Sequence, residues 1–269
     1  EAIFLLEELG ELENTIIVMT GDHGMPFPRC KSNNYDSGAR IPLAIRWGSG
    51  IKNPGRVLED FISTTDIAPT FLELAGVEIP DVMTGQSFVN LLKSPNEGLV
   101  DSQNRSYVLH GKERHVPSQE EDMGGYPVRA LRNHDFLYIR NFKPERWPAG
   151  TPNYQEAAFP FSWLGDCDNG PTKTYMVENR YKDDLHSILY DFSFGKRPAE
   201  ELYDCKKDPE QLENLADDPG YAEIKSELAA LLWEQLEITK DPRVVGGADL
   251  FDRVPYLGHG PRHPSYKPE

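Results

Sequence analysis

A β-branched run that ends in two glycines bracketing an acid and an imidazole constrains this chain more than any other feature. Thr15-Ile16-Ile17-Val18-Met19 reads as a buried strand and stops at Thr20-Gly21-Asp22-His23-Gly24. A loop carrying Lys31, Tyr35, Gly38 and Arg40 follows, before a second apolar run from Ile41 to Trp47. Open α/β sheets gather ligands beyond the carboxyl ends of their strands, where Asp22 and His23 fall. Asp plus His is a metal-ligand pair, and Lys31, nine residues beyond Asp22, can face an anion held by that metal. Asp-X-Gly also closes ordinary strands, so the rest of the chain has to decide between a site and a plain turn.

Upstream, Ala2, Leu5, Leu6 and Leu9 recur at helical spacing, with Gly10 at the C-cap, predicting a helix over 1–10. The pattern reads as a helix already in progress, so the chain is expected to lack an N-terminal part. Helix then strand is one step of a layered α/β domain. Downstream, 41–47 and 57–63 are predicted strands. Asp66 is an N-cap for a helix carrying Ile67, Phe71 and Leu74 on one face, and Leu91-Leu92 lie on a short helix.

Past residue 100 the character changes. Tyr107–His110 reads as a strand, and Val128–Arg132 with Phe136–Arg140 flank Asn133-His134-Asp135 as a hairpin. Residues 144–185 are rich in Pro, Gly, Asn and aromatics and are predicted irregular. Glu201–Asp204 is a final strand, and Ile224, Leu228, Leu231, Leu232 and Leu236 mark a helix over 220–238. The tail from Asp241, with five prolines and four glycines, is expected to wrap the surface without regular structure.

Charge narrows the partners. The 269 residues carry 28 Lys and Arg against 44 Asp and Glu, a net −16, which argues against a nucleic-acid or anionic-membrane binder. Residues 105–146 run the other way, with eight basic residues against six acidic ones and three histidines, which suits an anionic substrate or a solvated face. No apolar run approaches the ~18 residues of a membrane span. Cys30, Cys167 and Cys205 form no CxxC; a Cys167–Cys205 bridge is open but not implied.

Several blocks in order resemble the sulfatase family of the alkaline-phosphatase-like superfamily. They are Thr20-Gly21-Asp22-His23-Gly24, then Lys31, Tyr35, Asp36, Gly38, Arg40 and Pro42. Ser63-Thr64-Thr65-Asp66-Ile67-Ala68-Pro69-Thr70, Leu74-Ala75-Gly76 and Thr84-Gly85-Gln86-Ser87 follow. Glu201-Leu202-Tyr203-Asp204, Lys207-Asp208-Pro209-Glu210 and Asn214-Leu215-Ala216 complete the set. The resemblance implies an α/β fold: residues 1–100 as the C-terminal part of the catalytic domain, then a smaller antiparallel α+β subdomain over 101–269. It implies a sulfuric ester hydrolase for a sulfated carbohydrate, using a divalent metal, typically calcium. Asp22 and His23 take metal-ligand positions and Lys31 that of a sulfate-contacting lysine. Tyr35, Asp36, Gly38 and Arg40 are expected to shape the loop.

In the basic stretch, His115 is a candidate to bind sulfate or protonate the leaving group, since imidazole titrates near neutral pH. Arg114 is a candidate for a sugar carboxylate or second sulfate, and both residues also read as a solvated loop. Relatives of this kind are exported or lysosomal, which is the compartment the resemblance implies.

Two departures matter. The family's formylglycine nucleophile arises from Cys or Ser in a C/S-x-P/A-x-R context, which Cys30-Lys-Ser, Cys167-Asp-Asn and Cys205-Lys-Lys do not match. It is expected outside this sequence, with the other acidic metal ligands, so these residues alone should hold half a site and be inactive. Many sulfatases also have Asn where His23 stands. Calcium prefers oxygen and imidazole suits softer metals, which leaves a phosphodiester or phosphonate hydrolase of the same superfamily as an alternative. Met25-Pro26-Phe27-Pro28 resembles glycosaminoglycan-type, heparan N-sulfatase-like sulfatases and favours sulfate. A non-catalytic glycan-binding relative is the third reading.

Overall fold

The structure is a computed structural model that describes residues 1–116 and 118–267. In chain order its main elements are α1 (Ala2–Glu8), β1 (Ile17–Thr20), α2 (Asp36–Ala39), β2 (Leu43–Arg46), α3 (Ile67–Leu74), α4 (Val89–Lys93) and β3 (Tyr107–Lys112). Then come β4 (Val128–Asn133), β5 (Phe136–Asn141), α5 (Pro171–Glu178), α6 (Asp184–Phe194), β6 (Glu200–Asp204), α7 (Ala222–Ile238), α8 (Pro242–Val245) and α9 (Asp249–Arg253). They divide into two compact units, one of residues 1–22 with 42–108 and one of residues 23–41 with 109–269.

In the first unit β1 and β2 pair antiparallel, Ile17 opposite Arg46 and Thr20 opposite Leu43. Phe88, Leu91 and Leu92 form its buried core, with Ile16, Ile45, Trp47, Leu58 and Ile67 packed around them. The predicted strand at 57–63 is not formed; Leu58 makes only an isolated bridge to Gly98. Its backbone meets residues 98 and 105 only at scattered points: Gly98 N donates to the Val57 carbonyl and Glu59 N to that of Gly98, both at 2.9 Å, and Phe61 N to that of Arg105 at 3.4 Å. Side chains complete the joint: the buried Asp60 carboxylate accepts from the amides of Val100 and Asp101, at 2.9 and 2.6 Å, and Arg105 donates to the Phe61 carbonyl at 3.1 Å.

Asp66 does precede α3, but its carboxylate caps no α3 amide. It accepts instead from Ser63 N at 3.1 Å, Gln86 N at 2.8 Å and Arg105 Nη1 at 2.8 Å. The Ser63-Thr64-Thr65-Asp66 block is therefore a knot holding two loops of this unit, with Arg105 as its buried countercharge.

In the second unit the sheet runs β3-β4-β5-β6. The β4–β5 hairpin forms as predicted, closed by Asn133 Oδ1 accepting from the amides of Asp135 and Phe136 at 3.0 and 2.7 Å. Period-two alternation puts Val128, Ala130, Leu137, Ile139 and Tyr203 into one buried cluster. The intervening residues Leu131, Tyr138 and Leu202 are also buried, and α7 packs against β4 and β5. Helix α7 buries Leu228, Leu232 and Leu236, every fourth residue.

Two sequence expectations need correction here. Residues 144–185 contain α5 and the start of α6. Helix α5 hid because the two residues it buries are Lys173 and Val177, so no apolar stripe marks it. The tail beyond Asp241 contains the short helices α8 and α9. Cys167 and Cys205 are not joined; all three cysteines are free thiols.

Candidate active site

The loop between Asp22 and β2 belongs, from His23 to Ile41, to the second unit, and the sheet of that unit anchors it. Tyr35 inserts into the Val128–Ile139–Tyr203 cluster, and its hydroxyl donates to Glu201 Oε2 at 2.8 Å. Burial and Glu201 push the Tyr35 phenol up to about 12. Arg132 clamps Asp36 with Nε at 3.0 Å and Nη2 at 3.1 Å, and Gln211 Oε1 accepts from Asp36 N at 2.8 Å. The Arg29 guanidinium stacks 3.8 Å over the Tyr35 ring and bonds to the Phe192 and Gln211 carbonyls. A Cβ on Gly38 would lie 2.1 Å from the Cys30 carbonyl oxygen, and one on Gly24 2.1 Å from that of Ser37. Only glycine lets the loop fold this tightly on itself. Tyr35, Asp36 and Gly38 thus hold the loop in shape.

What the loop presents is Lys31 and Ser32. The Lys31 ammonium donates to both oxygens of Asp168, at 3.1 and 3.0 Å. Next to it, Ser32 Oγ lies 3.0 Å from His115 Nδ1. The same His115 nitrogen is 3.3 Å from Asp166 Oδ1, and Lys112 Nζ donates to Asp166 Oδ2 at 2.6 Å. Asp166 is 5% exposed and also accepts from Val116 N at 2.8 Å. Burial raises its carboxyl, but Lys112 and His115 beside it prevail and hold it down at about 2. Lys31 and His115 are therefore brought to one place by the neighbouring Lys31-Ser32 pair and by two carboxylates from a single turn, Asp166 and Asp168.

Arg114 lies elsewhere in this arrangement. Its guanidinium donates to the carbonyls of Met123 at 3.1 Å and Val254 at 2.7 Å, tying its own loop to the C-terminal tail. Asp166 and Asp168 were missed in the sequence, where two acids among 44, in a stretch read as irregular, carry no contrast. Their one signal is the Gly165-Asp166-Cys167-Asp168-Asn169-Gly170 run, acids at alternate positions inside a glycine-bounded turn.

Behind the loop lies a cavity lined by Ser32, Asn34, Lys112, Tyr126, Arg197 and Glu201, among others. Glu201 is saturated by Tyr35, Tyr203 and Asn141. The buried Tyr126 hydroxyl and Arg197 Nε, in contrast, have no hydrogen-bond partner among the described residues. His110 Nδ1 donates to Asn34 Oδ1 at 3.0 Å, and burial holds its imidazole down at about 4, so it is neutral at pH 7.

Asp22 and His23 are both exposed. The His23 Nδ1 lies 2.6 Å from the Gly24 carbonyl and donates to it, the kind of contact that orients a metal-ligating imidazole. Carboxylate and imidazole are both metal-ligand types, and calcium takes about six to eight oxygen donors. Among the described residues no group of three or more His, Cys, Asp or Glu gathers to hold a metal. No helix among them is long and apolar enough to cross a membrane.

Fold and site together define a chain that gathers ammonium, imidazole and carboxylate groups into one cluster. The family profile described as N-sulphoglucosamine sulphohydrolase, C-terminal, matches residues 21–119. An ulvan-active sulfatase of Formosa agariphila is 33% identical over 249 residues, 93% of this chain and 37% of that protein. Human N-sulphoglucosamine sulphohydrolase is 26% identical over 245 residues, 89% of this chain and 45% of that protein. A solved structure, described as a complex with its substrate D-glucosamine-2-N,6-O-disulfate, aligns with TM-score 0.57 at 26% identity, covering 90% of this chain and 38% of that one. The chain belongs with the sulfatases and matches their C-terminal portion. It spans less than half the length of these relatives.

Proposed function

We propose that this chain is the sulfate-handling C-terminal portion of a metal-dependent sulfuric ester hydrolase acting on a sulfated sugar. The observation that carries the reading is the meeting of Lys31 and His115 through Ser32, each backed by its own carboxylate. Relatives named for N-sulphoglucosamine, for ulvan and for a glucosamine disulfate support the substrate class.

Each group has a role its chemistry allows. Lys31, a compact point charge, binds a non-bridging sulfate oxygen, sharing its ammonium with Asp168. His115, when protonated, keeps Nδ1–H on Asp166 and offers Nε2–H to the sugar oxygen or nitrogen on which negative charge builds as the S–O or S–N bond breaks. Asp166 stabilises that imidazolium and sets which ring nitrogen faces the substrate. Arg114, braced by two carbonyls, retains donors for a sugar carboxylate or second sulfate.

Asp22 and His23 supply two donors to a divalent cation, calcium by family resemblance, which would polarise the sulfate oxygens when bound. The nucleophile, formylglycine by the same resemblance, comes from sequence outside these 269 residues. Assaying the intact protein on N-sulfated and O-sulfated disaccharides and on an aryl phosphodiester tests the reading. Sulfate release, lost on substitution of Lys31 or His115, is expected; phosphodiester turnover without sulfate release overturns it.

A further inference from the structure

Lys173 is buried without a carboxylate partner among the described residues. It sits in the first turn of α5, is 1% exposed, and has no role in the site described above. Its ammonium meets four oxygens: the carbonyls of Trp163 at 2.6 Å, Cys167 at 2.8 Å and Leu164 at 3.2 Å, and Asn169 Oδ1 at 3.0 Å. All four belong to the turn that carries Asp166 and Asp168.

The turn's amides face the other way. Leu164 N donates to the Thr151 carbonyl and Asp166 N to that of Ala149, at 3.0 and 3.1 Å. Leu164 adopts a left-handed φ of 46°, a conformation that costs a non-glycine residue energy and needs surrounding structure to enforce it. Carbonyl dipoles converging on one point repel unless a cation sits there. The Lys173 ammonium is that cation.

We infer that Lys173 is a positioning residue: it fixes the 163–169 turn and thereby sets the two carboxylates that hold His115 and Lys31. Burial lowers the Lys173 ammonium to about 8, against the opposing pull of Cys167, Asp168 and Asp166, and its charge also reaches His263. The geometric chain is short. Lys173 holds the carbonyls of residues 163, 164 and 167, Asp166 next to Cys167 meets His115 Nδ1, and Asp168 on its other side meets Lys31. The functional consequence rests on the proposed roles of His115 and Lys31; the positioning itself does not.

The test is Lys173→Met in the intact protein with 15N-labelled histidine, reading the ring-nitrogen signals of His115 at pH 7, with His110 as the internal control. His110 bonds to Asn34, outside the turn. The expected result is that His115 moves to the tautomer mixture of a solvated histidine while His110 is unchanged, and that sulfate release falls about tenfold in kcat. A folded Lys173→Met protein with unaltered His115 signals overturns the inference, whatever its activity. Altered His115 signals with full sulfate release uphold the positioning and overturn the proposed role of His115. Should Lys173→Met not fold, Asn169→Ala removes one of the four oxygens, and a smaller His115 shift in the same direction is expected; no shift overturns the inference.

Discussion

Replacing Asp166 with Asn tests whether the centre of the site is an ion cluster or merely a packed turn. Asparagine keeps the shape, and its one oxygen at the Oδ1 position can still accept from Val116 N and His115 Nδ1 but not from Lys112 Nζ, which now meets Oδ2. It cannot balance the Lys112 ammonium, whose side chain is 12% exposed. Removing one partner of a buried pair costs about 3–5 kcal/mol; with Pro148 O still accepting from Lys112 at 3.0 Å, the lower end, about 3 kcal/mol, is expected. Part of that is pH-dependent. A carboxyl held at about 2 against an ordinary 3.8 stabilises the fold at neutral pH by roughly 2 kcal/mol. Because the folded value is the depressed one, this contribution is complete above 3.8 and is lost as pH falls through about 2. His110 acts in a different window: held at about 4 by burial, it costs stability as pH falls from 6.5 to 4. Urea unfolding of parent and Asp166→Asn between pH 2 and 7 separates the two. The variant should lose about 3 kcal/mol at pH 7, keep the His110 step, and lack the lower one. A loss under about 1 kcal/mol, the level of an exposed pair, or a lower step that survives the substitution, refutes the ion-cluster reasoning.

Three further outcomes follow from the same geometry. Lys31→Met should leave the melting temperature nearly unchanged, because Asp168 is 43% exposed and can be solvated, yet weaken inhibition of the intact protein by inorganic sulfate about 10- to 100-fold, the worth of one charge-assisted hydrogen bond. Gly38→Ala drives a methyl to 2.1 Å from the Cys30 carbonyl oxygen and 2.5 Å from that of Asn33, and should lower stability by about 2–3 kcal/mol in thermal unfolding. Tyr126→Phe deletes a buried hydroxyl with no partner and should be neutral or stabilising by up to about 1 kcal/mol; a comparable loss in the melt would show that the hydroxyl is satisfied in solution.

How much of this was legible beforehand depends on whether periodicity or chemistry carries the element. The β4–β5 hairpin and α7 were readable, because Val128, Ala130, Leu137 and Ile139 alternate and Leu228, Leu232 and Leu236 recur at helical spacing. The stretch 57–63 misled for the opposite reason. Its apolar residues do pack, Leu58 and Ile62 among them, but its backbone meets only Gly98 and Arg105 at scattered points rather than a continuous partner strand. A local pattern reports which residues are buried; it does not report whether a distant segment will lie alongside for a whole ladder.

The site divides along the same line. Lys31 and His115 were findable as an ammonium and an imidazole in suitable loops, but what orients them was not, since Asp168 lies 137 residues from Lys31 and Asp166 over 50 residues from Lys112 and His115. Lys173 is the extreme case. A lysine buried on a helix defeats a hydrophobic pattern outright, and the oxygens that solvate it are backbone atoms, which no residue identity announces. An acidic chain also hides its functional acids. Against a net charge of −16, carboxylates are visible only through the cations they hold, and here Lys31 and Lys112 each sit against one carboxylate of a single turn. Residue type therefore located the groups that would meet an anion, and the fold was needed to show that a single turn, braced from beneath by Lys173, aims them.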